Sequence, residues 1–270
     1  MRQAIDTLFQ ALWSDYIAIT PSALKVHELL QTSSTIVNDH IALRTLNIPS
    51  VGLPKLSQHF ESLGYVASGD YTFEKKNLIA KHFEHPTEQA PKVFISELVV
   101  DAFSEPAKKI MANMAQQITE DILKENKFLY SGRHWSLDFD TYRTLLAESE
   151  YAAWLYIWGY RVNHFTVSVN HLADYQNLSE VNQRLKDAGF RLNTAGGEIK
   201  GSIEVGLEQS STLADQIEVD FSGQKHTIPS CFYEFALRHP VGDGGLYQGF
   251  VTASADKIFE STDAQSQGKG

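Results

Sequence analysis

The sequence predicts an α+β fold: two copies of a strand-helix-strands unit that build one enclosing sheet, with a helical layer added between them. Three observations support this. "NDHIALRTL" (38–46) alternates polar and apolar residues with a period of two, and "VNHFTVSVNHL" (162–172) repeats the pattern. A stretch of helical spacing follows each, "PKLSQHFESLGY" (54–65) and "NLSEVNQRLKDAGF" (177–190). Each copy then closes on an apolar strand with one central glutamate, "KVFISELVV" (92–100) and "SCFYEFALRH" (230–239). Such self-similarity reads as an internal duplication. We place its copies at 36–101 and 161–239 of a single domain spanning 1–270, with the helical insertion at 104–159.

Taken in order, Ile5, Leu8, Phe9, Leu12, Trp13 and Tyr16 recur at helical spacing, so the chain opens with an amphipathic helix that Thr20-Pro21 ends. In the first strand His40, Ala42 and Arg44 share one face, and Ile41, Leu43 and Thr45 the other. Leu56, Phe60 and Leu63 then mark a helix that Gly64 stops. "YTFEKKNLIAKHFEH" (71–85) and "KVFISELVV" read as two strands separated by Pro86 and Pro91. Ser104-Glu105-Pro106 begins a helix with Ile110, Met114, Ile118 and Ile122 on one stripe, and 138–159 forms another, rich in aromatics. In the second copy His164, Thr166 and Ser168 share one face of their strand. Glu97 follows His40 by 57 positions and Glu234 follows His164 by 70, a difference that an insertion around "AGGEIKGSIEVG" (195–206) accounts for.

Composition narrows the function. With 43% hydrophobic residues and abundant aromatics, 270 residues suffice for a packed core. A net charge of −10, with 23 Lys and Arg in no cluster, argues against nucleic acid as a partner. No apolar run approaches the roughly 20 residues of a membrane helix, and the opening segment does not read as a leader, so a cytoplasmic protein without a membrane partner is expected. Cys231 is the sole cysteine and has no flanking motif, which favours a buried structural thiol. Nothing in the sequence sets the oligomeric state.

The chemistry gathers on the two matched strands. His40 and His164 occupy equivalent positions of the repeat, and two imidazoles with one carboxylate on one side of an ion are what Fe(II) needs to keep positions open for a chelating substrate and O2. The carboxylate is Glu97 or Glu234; each is the only acid of an apolar strand and must be neutralised by metal, arginine or protonation. If both bind, a four-ligand site suits Lewis-acid chemistry on Zn or Ni, as in an isomerase or lyase. Arg44 lies about 13 to 14 Å along the strand from His40 at the usual rise, within which its side chain can curl back to grip a substrate carboxylate. His59, His82, His85 and His171 are expected at the surface; His134 and His239 have aromatic or arginine neighbours. "PVGDGGLYQGFV" (240–251) reads as a turned or mobile segment beside the site. A module that binds a small anion without chemistry is a reading from another class.

"DHIALRTL", "VNHFTVSVN", "FYEFALRH" and "GLYQGFVTASADKIFEST" together resemble the DUF1338 family, whose characterised members are 2-oxoadipate dioxygenase/decarboxylases, also called D-2-hydroxyglutarate synthases. The resemblance spans His40 to Thr262. It implies a vicinal-oxygen-chelate-like fold and Fe(II), with Zn or Ni as substitutes on purification, held by His40, His164 and Glu234. Glu97 then becomes the non-ligating partner of Glu234 in the repeat. It further implies that Arg44 is a catalytic and substrate-binding residue, that Val251 contacts substrate, and that a small 2-oxo dicarboxylic acid and O2 are the reactants. 2-Oxoadipate would yield 2-hydroxyglutarate and CO2.

Overall fold

The computed structural model describes residues 2–31, 35–86, 90–242 and 244–262. Helix α1 (Arg2–Ile19) buries Ile5, Leu8, Phe9, Leu12 and Tyr16, the stripe its spacing calls for. The helix ends at Ile19, before Thr20-Pro21 as expected, but Pro21 does more than stop it. It opens a second helix, α2 (Pro21–Leu30), because proline's fixed φ and missing N–H suit the first turn, where that donor has no helical partner.

Strand β1 (Asn38–Leu46) leads through α3 (Leu53–Glu61) to β2 (Val66–Phe73), β3 (Leu78–Glu84) and β4 (Lys92–Leu98). The stretch 71–85 is therefore a hairpin rather than one strand. A 3-10 turn at Glu74–Lys76 and Asn77 in the left-handed region (φ 52°) reverse the chain, a conformation that asparagine adopts more readily than most residues. The helical insertion follows as α4 (Glu105–Gln116), α5 (Glu120–Lys124), α6 (Phe139–Glu148) and α7 (Glu150–Trp158). The run expected over 138–159 breaks at Ser149, which is extended and accepts a hydrogen bond from the Ala152 N–H at 3.1 Å as the N-cap of α7.

β5 (Val162–Ser168), α8 (Leu178–Asp187), β6 (Lys200–Ser202), β7 (Leu207–Ser211), β8 (Gln216–Phe221), β9 (Gln224–Pro229) and β10 (Phe232–Arg238) follow. The chain then forms the short hairpin β11 (Pro240–Val241) and β12 (Gly245–Leu246), helix α9 (Thr252–Ile258) and a 3-10 turn at Phe259–Thr262. The described residues of 240–251 thus pair as a short hairpin and lead into α9, and Asp243 lies outside the described residues.

Eight strands form one mixed sheet in the order β2-β3-β4-β1-β5-β10-β7-β6. Its halves share a connectivity: a central strand, a helix, an antiparallel pair at the edge, then a strand parallel to the first (β4 on β1, β10 on β5). The central strands β1 and β5 run antiparallel. The added length of the second half is not centred on 195–206, which forms β6 and its turn into β7; it lies mainly in the hairpin β8-β9, with no counterpart between β3 and β4.

β5 and β10 are buried along their whole length, and β1 from His40 onward. The outer face packs under α1, where Trp13 meets Phe165 at 5.0 Å, and under α3 and α8. The inner face carries the polar residues and is covered by α7, α9 and the last turn. Indole N–H groups of α7 donate to main-chain oxygens, Trp154 to Ser230 (2.6 Å) and Trp158 to Pro229 (2.8 Å), which anchors this helix, buried from Tyr151 to Trp158. Among the described residues no helix is long and apolar enough to cross a membrane.

Candidate metal centre

Sheet register brings the candidate ligands together. Paired residues on neighbouring strands point to the same face. Thr166 on β5 pairs with His40 on one side and Glu234 on the other, while His164, two residues away, pairs with Ala42 and Phe232. His40, His164 and Glu234 therefore project from three adjacent strands onto the inner face. Their ligand atoms all lie within 4.8 Å of one another: Glu234 is 3.6 Å from Nε2 of His40 through Oε1 and 3.2 Å from Nε2 of His164 through Oε2.

Both imidazoles are set from behind. Nδ1 of His40 lies 2.8 Å from Asp39 Oδ1, and Nδ1 of His164 lies 3.0 Å from Asn163 Oδ1. An acceptor at Nδ1 keeps the proton there and turns the Nε2 lone pair inward, where Thr166 Oγ1 lies 3.1 Å from Nε2 of His40. Phe250 packs edge-on to His40 at 4.8 Å, and Phe232 stacks on His164 at 4.6 Å. Gln209 donates its amide to Glu234 Oε1 at 2.5 Å. Burial, with the charges of His40 and Arg44, pushes the His164 pKa well below its ordinary value, so the ring is neutral, as ligation requires. Burial raises the Glu234 carboxyl, against the pull of His40 and Gln209. The neutral imidazole of His164, the His40 ring beside it and a buried carboxylate with no Lys or Arg at ion-pair distance among the described residues are a donor set that a divalent ion completes.

Asp39 also accepts a bidentate pair from Arg238, Nε at 2.7 Å and Nη2 at 2.8 Å. Burial alone would raise the Asp39 carboxyl; Arg238 and His40 outweigh it and hold it well below the usual carboxylate range. Arg238 Nη1 donates to the main-chain oxygens of Tyr247 and Gly249, both at 2.9 Å, and so ties the turned segment to the His40 side of the centre. Asp39→Ala is expected to weaken metal binding by about 10- to 100-fold and to lower Tm, since it strands a buried guanidinium. Asp39→Asn should lose less metal affinity, because an amide oxygen can serve Nδ1–H as Asn163 does; equal losses in a chelator competition would refute this role.

Glu97 lies elsewhere. It pairs with Thr45, one step out of phase with Arg44 and His40, and so faces the opposite side of the sheet. There its Oε2 accepts the Leu53 N–H at 2.6 Å, which satisfies a free donor at the start of α3. It is also not the repeat counterpart of Glu234: Glu234 pairs two residues beyond His164, and the residue that pairs two beyond His40 is Phe94. Glu97→Gln should keep the metal content unchanged and shift stability by about 1 kcal/mol or less, read by metal analysis and thermal melting.

Arg44 is on the inner face but does not curl back to the ligands. Its guanidinium lies 4.8 and 4.9 Å from the rings of Tyr151 and Trp154, meets Glu150 Oε1 at 3.3 Å and donates to Thr262 Oγ1 at 3.0 Å. One ring, Phe259, stands against it at 5.8 Å and also walls the metal cavity. Val251 is the N-cap of α9, between Phe250 on His40 and the cavity-lining Ala255 and Ile258.

Two other histidines differ from expectation. His82 is buried between Tyr71 and Glu84, and His59 against Asn126, since strand β3 and helix α3 are covered where a surface position was expected. His134 bonds Ser131 beside a separate shallow pocket, and His239 pairs with Glu208. Cys231 is fully buried, which pushes its thiol up to about 12. The supporting residues Asp39, Asn163, Gln209, Phe94 and Phe250 were not singled out from sequence. For the first two a signal existed, because each matched histidine directly follows a side chain with an acceptor oxygen.

Fold and site together define a protein able to hold one divalent ion, by two imidazoles and a carboxylate, on the inner face of a mixed sheet. The family is specific: the 2-oxoadipate dioxygenase/decarboxylase profile matches residues 3–244, and the chain belongs to that family. A 2-oxoadipate dioxygenase/decarboxylase of Oryza sativa subsp. japonica is 32% identical over 95% of this chain and 79% of its own. The hydroxyglutarate synthase of Oryza sativa, solved in complex with 2-oxoadipate, matches with a TM-score of 0.89 and 32% identity over 97% of this chain and 93% of that one. A protein of Shewanella frigidimarina NCIMB 400 carrying a provisional hydrolase name is 57% identical, with a TM-score of 0.89 over 92% and 98% of the chains. The fold alone is shared with a glyoxalase superfamily protein of Ralstonia eutropha JMP134, at 20% identity and a TM-score of 0.75 over 91% and 85%.

Proposed function

We propose that this protein is a mononuclear Fe(II) dioxygenase that oxidatively decarboxylates 2-oxoadipate to 2-hydroxyglutarate and CO2, on a duplicated vicinal-oxygen-chelate-like scaffold. The observation that carries this reading is the convergence of three buried donors, with both Nδ1 atoms already engaged, in a chain of this family. Bound iron would supply a Lewis acid for a chelating 2-oxo acid and a redox centre for O2. Zn or Ni fits the same donors and would compete with it.

The chain's own residues do the rest. Asp39 and Asn163 orient the imidazoles, and Gln209 holds one oxygen of Glu234. Phe94, Phe250, Ile258 and Phe259 form an apolar wall that excludes water from the reacting atoms. Arg44 is the group that receives the distal carboxylate of the diacid, with the Val251 backbone at the start of α9 beside it. The cavity measures about 20 Å3, room for little more than one water, so the diacid enters as the cover formed by Phe250, α9 and the last turn shifts. That shift also takes Phe259 from between Arg44 and the cavity. The four-ligand isomerase reading needs Glu97 on the inner face, where it does not lie.

Anaerobic reconstitution with Fe(II), followed by oxygen-electrode traces, tests the reading. Uptake with 2-oxoadipate, less with 2-oxoglutarate and pyruvate, and none in His164→Ala is expected. Metal bound at the three ligands without oxygen uptake on any of these acids would overturn it.

A further inference from the structure

We infer that Phe94 keeps the centre at three protein ligands and so determines which class of reaction it can support. The inference rests on the metal reading above and extends it to a residue that binds nothing. Its basis is the register at the middle of the sheet. His40 pairs with Thr166 and His164 with Ala42, so exchanging β1 with β5 exchanges the two histidines; these pairs lie between the two register shifts of β1 against β5. The same exchange carries β10 onto β4. Glu234 pairs with Thr166 on β5, and Phe94 pairs with Ala42 on β1.

Phe94 thus stands where a symmetric site would place a second carboxylate. Its ring is 4% exposed and lines the same cavity as His40, His164 and Glu234. It is fixed there by Phe250 at 5.0 Å and Tyr71 at 5.5 Å. A donor at this position would complete a set of two imidazoles and two carboxylates. An octahedral ion so held keeps two open positions, enough for a chelate and nothing more. With phenylalanine it keeps three, enough for a bidentate 2-oxo acid and one further ligand. The benzyl group also leaves that side of the cavity without a group that could anchor water.

The test is metal affinity, measured by chelator competition with Zn(II) and anaerobically with Fe(II), on Phe94→Glu, Phe94→His and Phe94→Leu. Phe94→Glu and Phe94→His should bind metal about tenfold or more tightly, a change on the scale by which altered ligand environments shift metal affinity, and should lose oxygen uptake with 2-oxoadipate. Phe94→Leu, which adds no donor, should keep the wild-type metal affinity. Should a buried glutamate prevent folding, Phe94→His, neutral and closer in shape, carries the test. Affinity in the folded glutamate or histidine variant that is no greater than wild type, or uptake that survives in it, overturns the inference. Its failure is separable from failure of the underlying reading. If wild type holds no metal, or His164→Ala keeps it, the metal centre itself is wrong; if wild type and His164→Ala behave as expected while the Phe94 donors change nothing, only the role of Phe94 falls.

Discussion

His164→Ala, purified and reconstituted anaerobically, is expected to hold no stoichiometric iron and to fall at least ~10³-fold in turnover of 2-oxoadipate. That scale follows from losing several kcal/mol of Lewis-acid stabilisation at about 1.4 kcal/mol per tenfold. His40→Ala and Glu234→Ala should behave alike, because each of the three would supply one donor and the remaining pair would not enclose the ion. Glu234→Ala has an additional consequence. It removes a carboxyl that the Gln209 amide serves at 2.5 Å and leaves that buried amide without its acceptor. Its melting temperature without metal is therefore informative: a rise would show that the carboxylate is destabilising until an ion arrives. Metal content and turnover near wild type in any of the three variants would exclude that residue as a ligand.

Arg44→Gln should raise KM for 2-oxoadipate by roughly 10- to 100-fold, the range set by one or more charge-assisted hydrogen bonds of 1.5–3 kcal/mol, while iron content stays at the wild-type level. Arg44→Lys should restore little, since an ammonium cannot reproduce a planar guanidinium placed against Tyr151 and Trp154 with Glu150 and Thr262 at its edge. Steady-state kinetics with 2-oxoadipate and with a monocarboxylic 2-oxo acid separate the possibilities. If Arg44 recognises the distal carboxylate, the variant loses its preference for the diacid. If both substrates suffer equally, Arg44 acts by holding α7 and the C-terminal turn in place, and the carboxylate is bound elsewhere.

Much of the centre was legible as pattern. Period-two alternation assigns His40 and Arg44 to one face of a strand and His164 to one face of another, because side-chain direction along a strand is a local property of the backbone. Recurrence of helix and closing strand after each histidine makes those two positions equivalent. The dipeptides Asp39-His40 and Asn163-His164 even carry the acceptors that orient the rings. Element boundaries were less legible. The 71–85 hairpin and the α6-α7 break depend on Asn77 and Ser149, single residues whose turn or cap geometry outweighs the hydrophobic period around them.

By itself, then, the sequence determined the α+β character of the chain, the paired histidines and the short list of acids able to join them. Only the tertiary structure decided between those acids. Glu97 and Glu234 are each the lone acid of an apolar strand, and what separates them is the register of β4 on β1 and of β10 on β5, a relation between segments that no local pattern encodes. The direction of Arg44 is non-local for the same reason: a long side chain with many rotamers is captured by Glu150 and Thr262, more than a hundred residues away in the chain. The apolar wall of the cavity likewise unites Phe94 from the first half of the sheet with Phe250, Ile258 and Phe259 from the C-terminal segment, residues that become neighbours only when the sheet is assembled and covered.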